Sequence, residues 1–160
     1  MAQHQQRTVT PARSRSPARA AVVVLALAGC AVATGLTLFQ AGVVDSVWEP
    51  FFGTGSRQVL TSPLSEALPV PDAALGAVAY LTEAVLTVLS RPGRPRVQLA
   101  ACAVAAGLGV FALGLVAAQA FLVRAFCTLC LVSAALSLII AALVLPEVPA
   151  AVAQMRNARP

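Results

Sequence analysis

Apolar residues in this chain are grouped into four long runs, separated by short polar or proline-containing stretches. The runs cover residues 20–44, 73–90, 97–123 and 125–146. Each run is close to or longer than the roughly 20 residues that an α-helix needs to cross a bilayer. The pattern therefore predicts four transmembrane helices and one long loop. The predicted helices span about 20–43, 72–90, 97–122 and 126–146, and the predicted loop spans 44–71.

The composition is typical of a protein that lies mostly within a membrane. Of the 160 residues, 59% are hydrophobic and 11% are charged, whereas a soluble domain carries about a quarter charged residues. One small core cannot bury so much apolar surface, so the lipid bilayer is the expected solvent. We predict an all-α fold, a polytopic membrane four-helix bundle. Residues 1–18 are expected to form a disordered basic tail, and residues 147–160 a second tail.

The arginines predict how the bundle is oriented. All eleven cations are arginines, and nine of them precede the first run, follow the fourth, or lie between the second and third. Short arginine-rich loops stay in the cytoplasm, so both termini and the turn at 91–96 are expected inside. The net charge of +5 thus indicates membrane topology and not nucleic-acid binding. The expected location is the plasma membrane, as a multi-pass protein.

Cys127 and Cys130 form a Cys-x-x-Cys pair at the start of the fourth run, on the predicted outer side, where disulfide chemistry is expected. Such a pair can be half of a zinc site, a redox pair or a chance occurrence. Zinc needs about four ligands, and the only histidine is His4 in the amino-terminal tail, so no metal is expected. At a helix start the thiols come within bridging distance, and free amides stabilise a thiolate. The residues leave open which thiol is more acidic.

The other two cysteines are expected to be structural. The four residues that end at Cys30 have the form of a lipoprotein cleavage site, but the run stays apolar beyond them, so a spanning helix is favoured. Cys102 lies near the inner end of the third run, where burial is expected. In the same run, Ala103, Gly107 and Gly114 share one helix face, which predicts a close helix contact.

Polar residues inside the runs leave alternatives open. Glu83 should face the bundle interior or an aqueous path, where it could handle protons or pair with the inner arginines. Ser133 and Ser137 share one face of the fourth helix with Cys130. These serines either bond to the backbone of another helix or line a pocket beside the thiols. A dithiol at such a pocket can pass its electrons to a lipid-soluble acceptor such as a quinone.

The loop at 44–71 has features of a lid over the outer end of the bundle. It carries Trp48, Phe51 and Phe52, and aromatic residues next to a span favour the headgroup level. The loop ends in a proline-rich stretch. Asp72 follows it, where a carboxylate can cap the second helix.

Two segments carry a resemblance to a known family. The stronger is Phe-Cys-Thr-Leu-Cys-Leu-Val-Ser at 126–133. The second is Val-Leu-Thr-Ser-Pro at 59–63, followed by Pro71, Gly76 and Tyr80. Over residues 20–146 the sequence resembles the vitamin K epoxide reductase family, which are four-helix membrane oxidoreductases.

The resemblance implies roles for individual residues. Cys127 and Cys130 would be the catalytic pair, with Cys130 facing a quinone of menaquinone or ubiquinone type and Cys127 exchanging with outside thiols. Ser62 matches the family's loop serine, which helps to position the loop near the catalytic centre. The expected quinone-binding residues are Asp72, Tyr80 and Ser133. The expected partners are the lipid bilayer and a thioredoxin-like or other thiol protein at the outer face.

One departure from the family concerns the loop. The family usually has two further cysteines there, one of them six residues before the loop serine. That position is Ser56, and no cysteine lies between residues 45 and 72. The leading hypothesis is a quinone-linked thiol–disulfide oxidoreductase that outside thiols reach directly. The alternative is a non-catalytic protein of this fold that binds quinone or lipid, or that supports a partner redox protein.

Overall fold

The computed structural model describes residues 15–62, 71–91 and 93–157, and every regular element in that part of the chain is a helix. In chain order the α-helices are α1 (Arg15–Gln40), α2 (Gly55–Leu60), α3 (Asp72–Leu89), α4 (Pro95–Ala118), α5 (Thr128–Val144) and α6 (Val148–Asn157). A π-helical turn, Gln119–Val123, extends α4, and a 3-10 turn, Leu145–Glu147, joins α5 to α6.

Four of the helical segments are long and apolar enough to cross a membrane. They are Pro17–Gln40, Asp72–Leu89, Pro95–Val123 and Thr128–Arg156. Large apolar side chains such as Val110 and Phe121 are exposed on the outside of the bundle, as expected where lipid is the solvent. The predicted all-α membrane four-helix bundle is therefore confirmed.

The ends of the chain are more helical than the sequence indicates. Helix α1 begins at Arg15, so the predicted disordered tail is wrong for residues 15–18, while residues 1–14 lie outside the described residues. At the other end α6 continues to residue 157 and packs against α4. Pro146 does not end the helical path, because it lies in the first turn of a new segment, where its missing N–H is not needed.

Small residues let the helices approach each other closely. Helix α1 packs against α3 and α5, and α4 packs against α3 and α5. At Gly109 of α4 an added Cβ would lie 3.2 Å from the Cβ of Ala141 in α5, so α4 and α5 are in close contact here. The prediction for Ala103, Gly107 and Gly114 is wrong, since all three face outward. The opposite face of α4 carries its own small residues, and that face is the one buried.

The bundle has two distinct ends. At one end the loop with α2 covers the helices, and Val59 and Leu60 of α2 pack with Leu36, Cys127 and Cys130 in one apolar cluster. At the other end, residues near the starts of α1 and α4 and the ends of α3 and α5 surround a polar cleft. The thiol pair is thus at the end that the loop covers.

Candidate active site

Cys127 and Cys130 lie at the amino end of α5 with both thiols free. Cys127 is the residue before the helix and has an extended backbone, and its Sγ accepts a hydrogen bond from the Cys130 N–H at 3.2 Å. A side chain that caps a helix start in this way satisfies an otherwise unpaired amide. Both side chains are buried, and Cys127 is 0% exposed.

The connector from α4 fixes the position of Cys127. The π-helical turn directs Gln119 inward, where it is buried, and its Oε1 accepts a hydrogen bond from the Cys127 N–H at 2.9 Å. Arg124 then turns the chain with φ of +54°, a conformation that non-glycine residues adopt uncommonly. Gln119 was not among the residues predicted from the sequence. The signal was an amide side chain near the end of an otherwise apolar run, which has Gln98 near its start.

The reduced pair holds its negative charge on Cys127. A hydrogen bond with the Cys130 thiol lowers the pKa of Cys127 to about 7, with further help from the Ser56 hydroxyl and the Cys130 N–H. Burial and the nearby Glu49 carboxylate act in the opposite direction. The acidity that the sequence left open is therefore assigned to Cys127.

Glu49 connects the loop to the helix that carries the thiols. Its carboxylate accepts hydrogen bonds from the Ser56 hydroxyl, the Thr128 hydroxyl and, at 3.2 Å, the Thr128 N–H. Burial raises the pKa of the Glu49 carboxyl, but these hydrogen bonds outweigh it and lower the pKa below its ordinary value. Glu49 and Thr128 were not among the residues predicted from the sequence, and Ser56 was noted there only as the place of an absent cysteine.

Cys130 lines a pocket inside the bundle. The cavity has a volume of about 50 Å³, and α1 to α5 all contribute to its mostly apolar wall. Its polar members are Asp72, Tyr80, Cys130, Ser133 and Ser137. The structure thus brings Cys130 together with all three residues that were predicted to bind a quinone.

Tyr80 ties the pocket wall together. Its hydroxyl donates to the Ser133 carbonyl at 2.6 Å and lies 2.7 Å from the Ser137 Oγ and 3.0 Å from the Ser133 Oγ. The serines therefore line the pocket, and their hydroxyls bond to a side chain of another helix, whereas the first alternative was a bond to backbone.

Asp72 joins α1 to α3 at the mouth of the pocket. As the first residue of α3, it accepts hydrogen bonds from the Ala73 N–H at 2.8 Å and from the Gln40 Nε2 at 2.5 Å. The carboxylate thus satisfies an amide of the first turn, although Pro71 occupies the cap position.

Comparison with known families decides the ancestry of this arrangement. A sequence model of the vitamin K epoxide reductase family matches residues 20–145, which is most of the chain. The chain belongs to this family. No curated protein matches it significantly. Vitamin K epoxide reductases are membrane oxidoreductases that in general use quinones, so the protein is a multi-pass member of a membrane redox-enzyme family.

Two residues singled out in this member of the vitamin K epoxide reductase family lie outside the pocket wall. Ser62 is buried just after α2, and its hydroxyl donates to the Val59 carbonyl at 2.8 Å, so it stabilises the end of that helix. Glu83 is buried in the interior, as expected, and accepts a hydrogen bond from Thr87. Its Oε2 has no hydrogen-bond partner among the described residues. Within that part of the chain, no cluster of three or more His, Cys, Asp or Glu could hold a metal ion.

Proposed function

We propose that this protein is a quinone-linked thiol–disulfide oxidoreductase of the plasma membrane, in which Cys127 and Cys130 cycle between dithiol and disulfide. One observation carries the proposal. The Cys130 thiol lines an apolar pocket within the bundle, while Cys127, three residues earlier, lies under the loop at the bundle end. On one side the pair would therefore face a site for a lipid-soluble molecule, and on the other side it would face the end of the bundle from which a protein can approach.

The pocket residues fit a quinone. Ligand pockets with apolar walls and a few placed polar groups are typical for small molecules, and this pocket has such a lining. Its apolar wall suits a ring and an isoprenoid chain, and the hydroxyls of Tyr80, Ser133 and Ser137 suit carbonyl oxygens. A bound quinone would accept two electrons and two protons from the pair and would leave as the quinol.

The chain's own residues perform the thiol chemistry. When Cys127 and Cys130 form their S–S bond, two electrons and two protons leave the pair, which matches the reduction of one quinone to one quinol. A thiolate of an outside protein then attacks the Cys127 Sγ, the S–S bond breaks, and the Cys130 thiolate takes up a proton. A second thiol of that protein displaces Cys127, whose pKa of about 7 makes it a good leaving group.

The arginine distribution supports an outer location for this exchange. Nine of the eleven arginines lie in the termini and in the turn at 91–96, which favours a cytoplasmic position for that end. The thiol pair is at the opposite end of the bundle. An outside thiol protein, thioredoxin-like in chemistry, would then be the electron donor.

The direct test is turnover with purified protein. Addition of a menaquinone or ubiquinone analogue and a reduced thioredoxin-like protein should give quinol, measured by its absorbance. Cys127→Ser and Cys130→Ser should each abolish the reaction, whereas Cys102→Ser, which changes a buried thiol far from the pair, should retain it. If quinone never converts Cys127 and Cys130 into a disulfide in alkylation mapping, the proposal is wrong.

A second candidate is a protein of this fold that binds quinone or lipid, or supports a partner redox protein, without electron transfer. The observation that favours it is Ser56, which stands where the family usually has a loop cysteine. A variant with both Cys127 and Cys130 replaced by serine discriminates the two candidates. The double variant would keep the cellular phenotype if the protein only binds a ligand or supports a partner, and it would lose the phenotype if the pair is catalytic.

A further inference from the structure

The loop segment 49–60, which runs from Glu49 through α2 and is called the cover below, closes over Cys127. Cys127 is 0% exposed under it. Gly55 of the cover lies against the backbone carbonyl of Phe126, and the rings of Phe52 and Phe126 are 5.6 Å apart. A protein thiolate must approach a disulfide sulfur directly in order to attack it. The cover therefore has to move before a partner can exchange with Cys127.

Glu49 is the polar attachment of the cover to the bundle. Its Oε1 accepts the Thr128 hydroxyl, and its Oε2 accepts both the Ser56 hydroxyl and the Thr128 N–H. Thr128 is the first residue of α5 and Ser56 belongs to α2, so one carboxylate joins the cover to the helix that carries the thiols. Both hydroxyl partners are buried, and hydrogen bonds to an ionised group are the stronger kind.

The charged groups near Glu49 do not replace it as the link between the cover and α5. The side chain of Arg57, also in the cover, donates to the Asp45 carbonyl at 3.0 Å and lies over the Phe39 ring. The Cys127 thiolate lies on the other side of Ser56 and acts on Glu49 as a like charge. A disulfide cannot attach the cover to the bundle, since the sequence has no cysteine between Cys30 and Cys102.

We propose that Glu49 is a latch: its carboxylate holds the cover closed over Cys127, and an outside thiol reaches Cys127 only after its hydrogen bonds to Ser56 and Thr128 break. The role of the outside thiol rests on the function proposed above, whereas closure of the cover does not. Protonation of Glu49 removes the charge from all three hydrogen bonds, so acid opens the latch. Glu49 is accordingly a positioning residue that acts through the cover.

The test compares two maleimides of different size on the reduced protein, without quinone. The ratio of bulky to small reagent incorporated at Cys127, measured by peptide mass spectrometry, reports access and cancels the thiolate fraction. Glu49→Gln should raise this ratio about tenfold or more, because three charge-assisted hydrogen bonds are weakened. Glu49→Asp, which keeps the charge, should fall between Glu49→Gln and the wild type. The matched control is Glu147→Gln, whose carboxylate bonds to Gln98 at the other end of the bundle, and it should leave the ratio unchanged.

Two results would overturn the latch. One is an unchanged ratio at Cys127 in Glu49→Gln. The other is an equal rise at Cys102, a buried thiol at the other end, which would mean general loosening. Acidification should raise the ratio in the wild type and leave Glu49→Gln unaffected, and a pH response shared by both proteins counts against the latch. Loss of quinone reduction with an intact labelling effect would reject the proposed function and keep the latch.

Discussion

At the scale of single residues, the acidity of Cys127 is produced mainly by two donors of Cys130. The Cys130 thiol and the Cys130 N–H stabilise a negative sulfur that is otherwise buried. The Ser56 hydroxyl of α2 adds to this only when it turns from the Glu49 carboxylate to the sulfur. Reactivity of a thiol follows its thiolate fraction and its access, so the site combines high thiolate content with low access.

This arrangement predicts the pH dependence of alkylation. The pKa of Cys127 is lowered from 9.0 to about 7, so the thiolate predominates above about pH 7 and the unreactive thiol below it. The rate of Cys127 modification by iodoacetamide should therefore rise through a midpoint near pH 7. Cys130→Ala removes the leading donor and should shift the midpoint toward the ordinary value. An identical midpoint in both proteins would refute the assigned cause.

The sequence predicts the pocket residues better than the residues that cover the thiols. Cys130, Ser133 and Ser137 share one face of α5 because of helical periodicity, and the long Tyr80 side chain reaches the two serines from α3 across the bundle. Glu49 contacts Thr128 across 79 positions, and its loop has no periodicity from which that contact could be inferred. Ser56 was noticed only through the family pattern. Long-range contacts made by segments of irregular backbone could not be predicted from the sequence and are seen only in the structure.

At the scale of secondary-structure elements, α4 shows that small residues alone do not define a contact face. Its alanines and glycines lie on both sides, so spacing by four and seven selects a face without showing which is buried. The contact uses Gly109 against Ala141, while Gly107 and Gly114 have open space beside them. Gly55 in α2 differs from Gly107 and Gly114, because there is no free space for a Cβ at this position.

Gly55 sets how closely α2 can approach α5. A Cβ at this position would collide with the Phe126 carbonyl oxygen, so Gly55→Ala should displace the cover and lower stability by about 1–3 kcal/mol, the usual range for overpacking. Thermal unfolding measures the loss, and faster bulky-maleimide labelling of Cys127 measures the displacement. Gly35→Ala in α1 is the matched control, since no atom lies within 4 Å of its added Cβ, and it should be neutral or slightly stabilising. Equal behaviour of the two variants would contradict the packing argument.

At the scale of the whole molecule, the two bundle ends differ in charge as well as in chemistry. Most arginines of the described residues belong to the end with the polar cleft, and the thiol pair belongs to the end with the cover. The number of spans and their approximate positions could be derived from the sequence, because hydropathy over about 20 residues reflects the bilayer itself. The added helix α6 could not, since packing against α4 overrides a weak local preference.

The charge asymmetry predicts which end faces outward. Thr54→Cys and Arg94→Cys introduce thiols at exposed positions of the two ends. In intact cells a membrane-impermeant maleimide should label Thr54→Cys and leave Arg94→Cys unlabelled until the cells are opened. The reverse result would place the thiol pair on the cytoplasmic side and would remove the proposed electron donor.

The complete burial of Cys127 has a consequence for redox selectivity. Equilibrium potentials would let many abundant small thiols reduce a disulfide at this position, but exchange rates depend on access. A pair enclosed in this way selects its reductant by the shape and binding energy of the partner, and its potential becomes secondary. Ambient thiols such as glutathione would then stay kinetically isolated from the membrane quinone pool. In the proposed function, a pair without loop cysteines would therefore still protect the quinone pool from indiscriminate reduction.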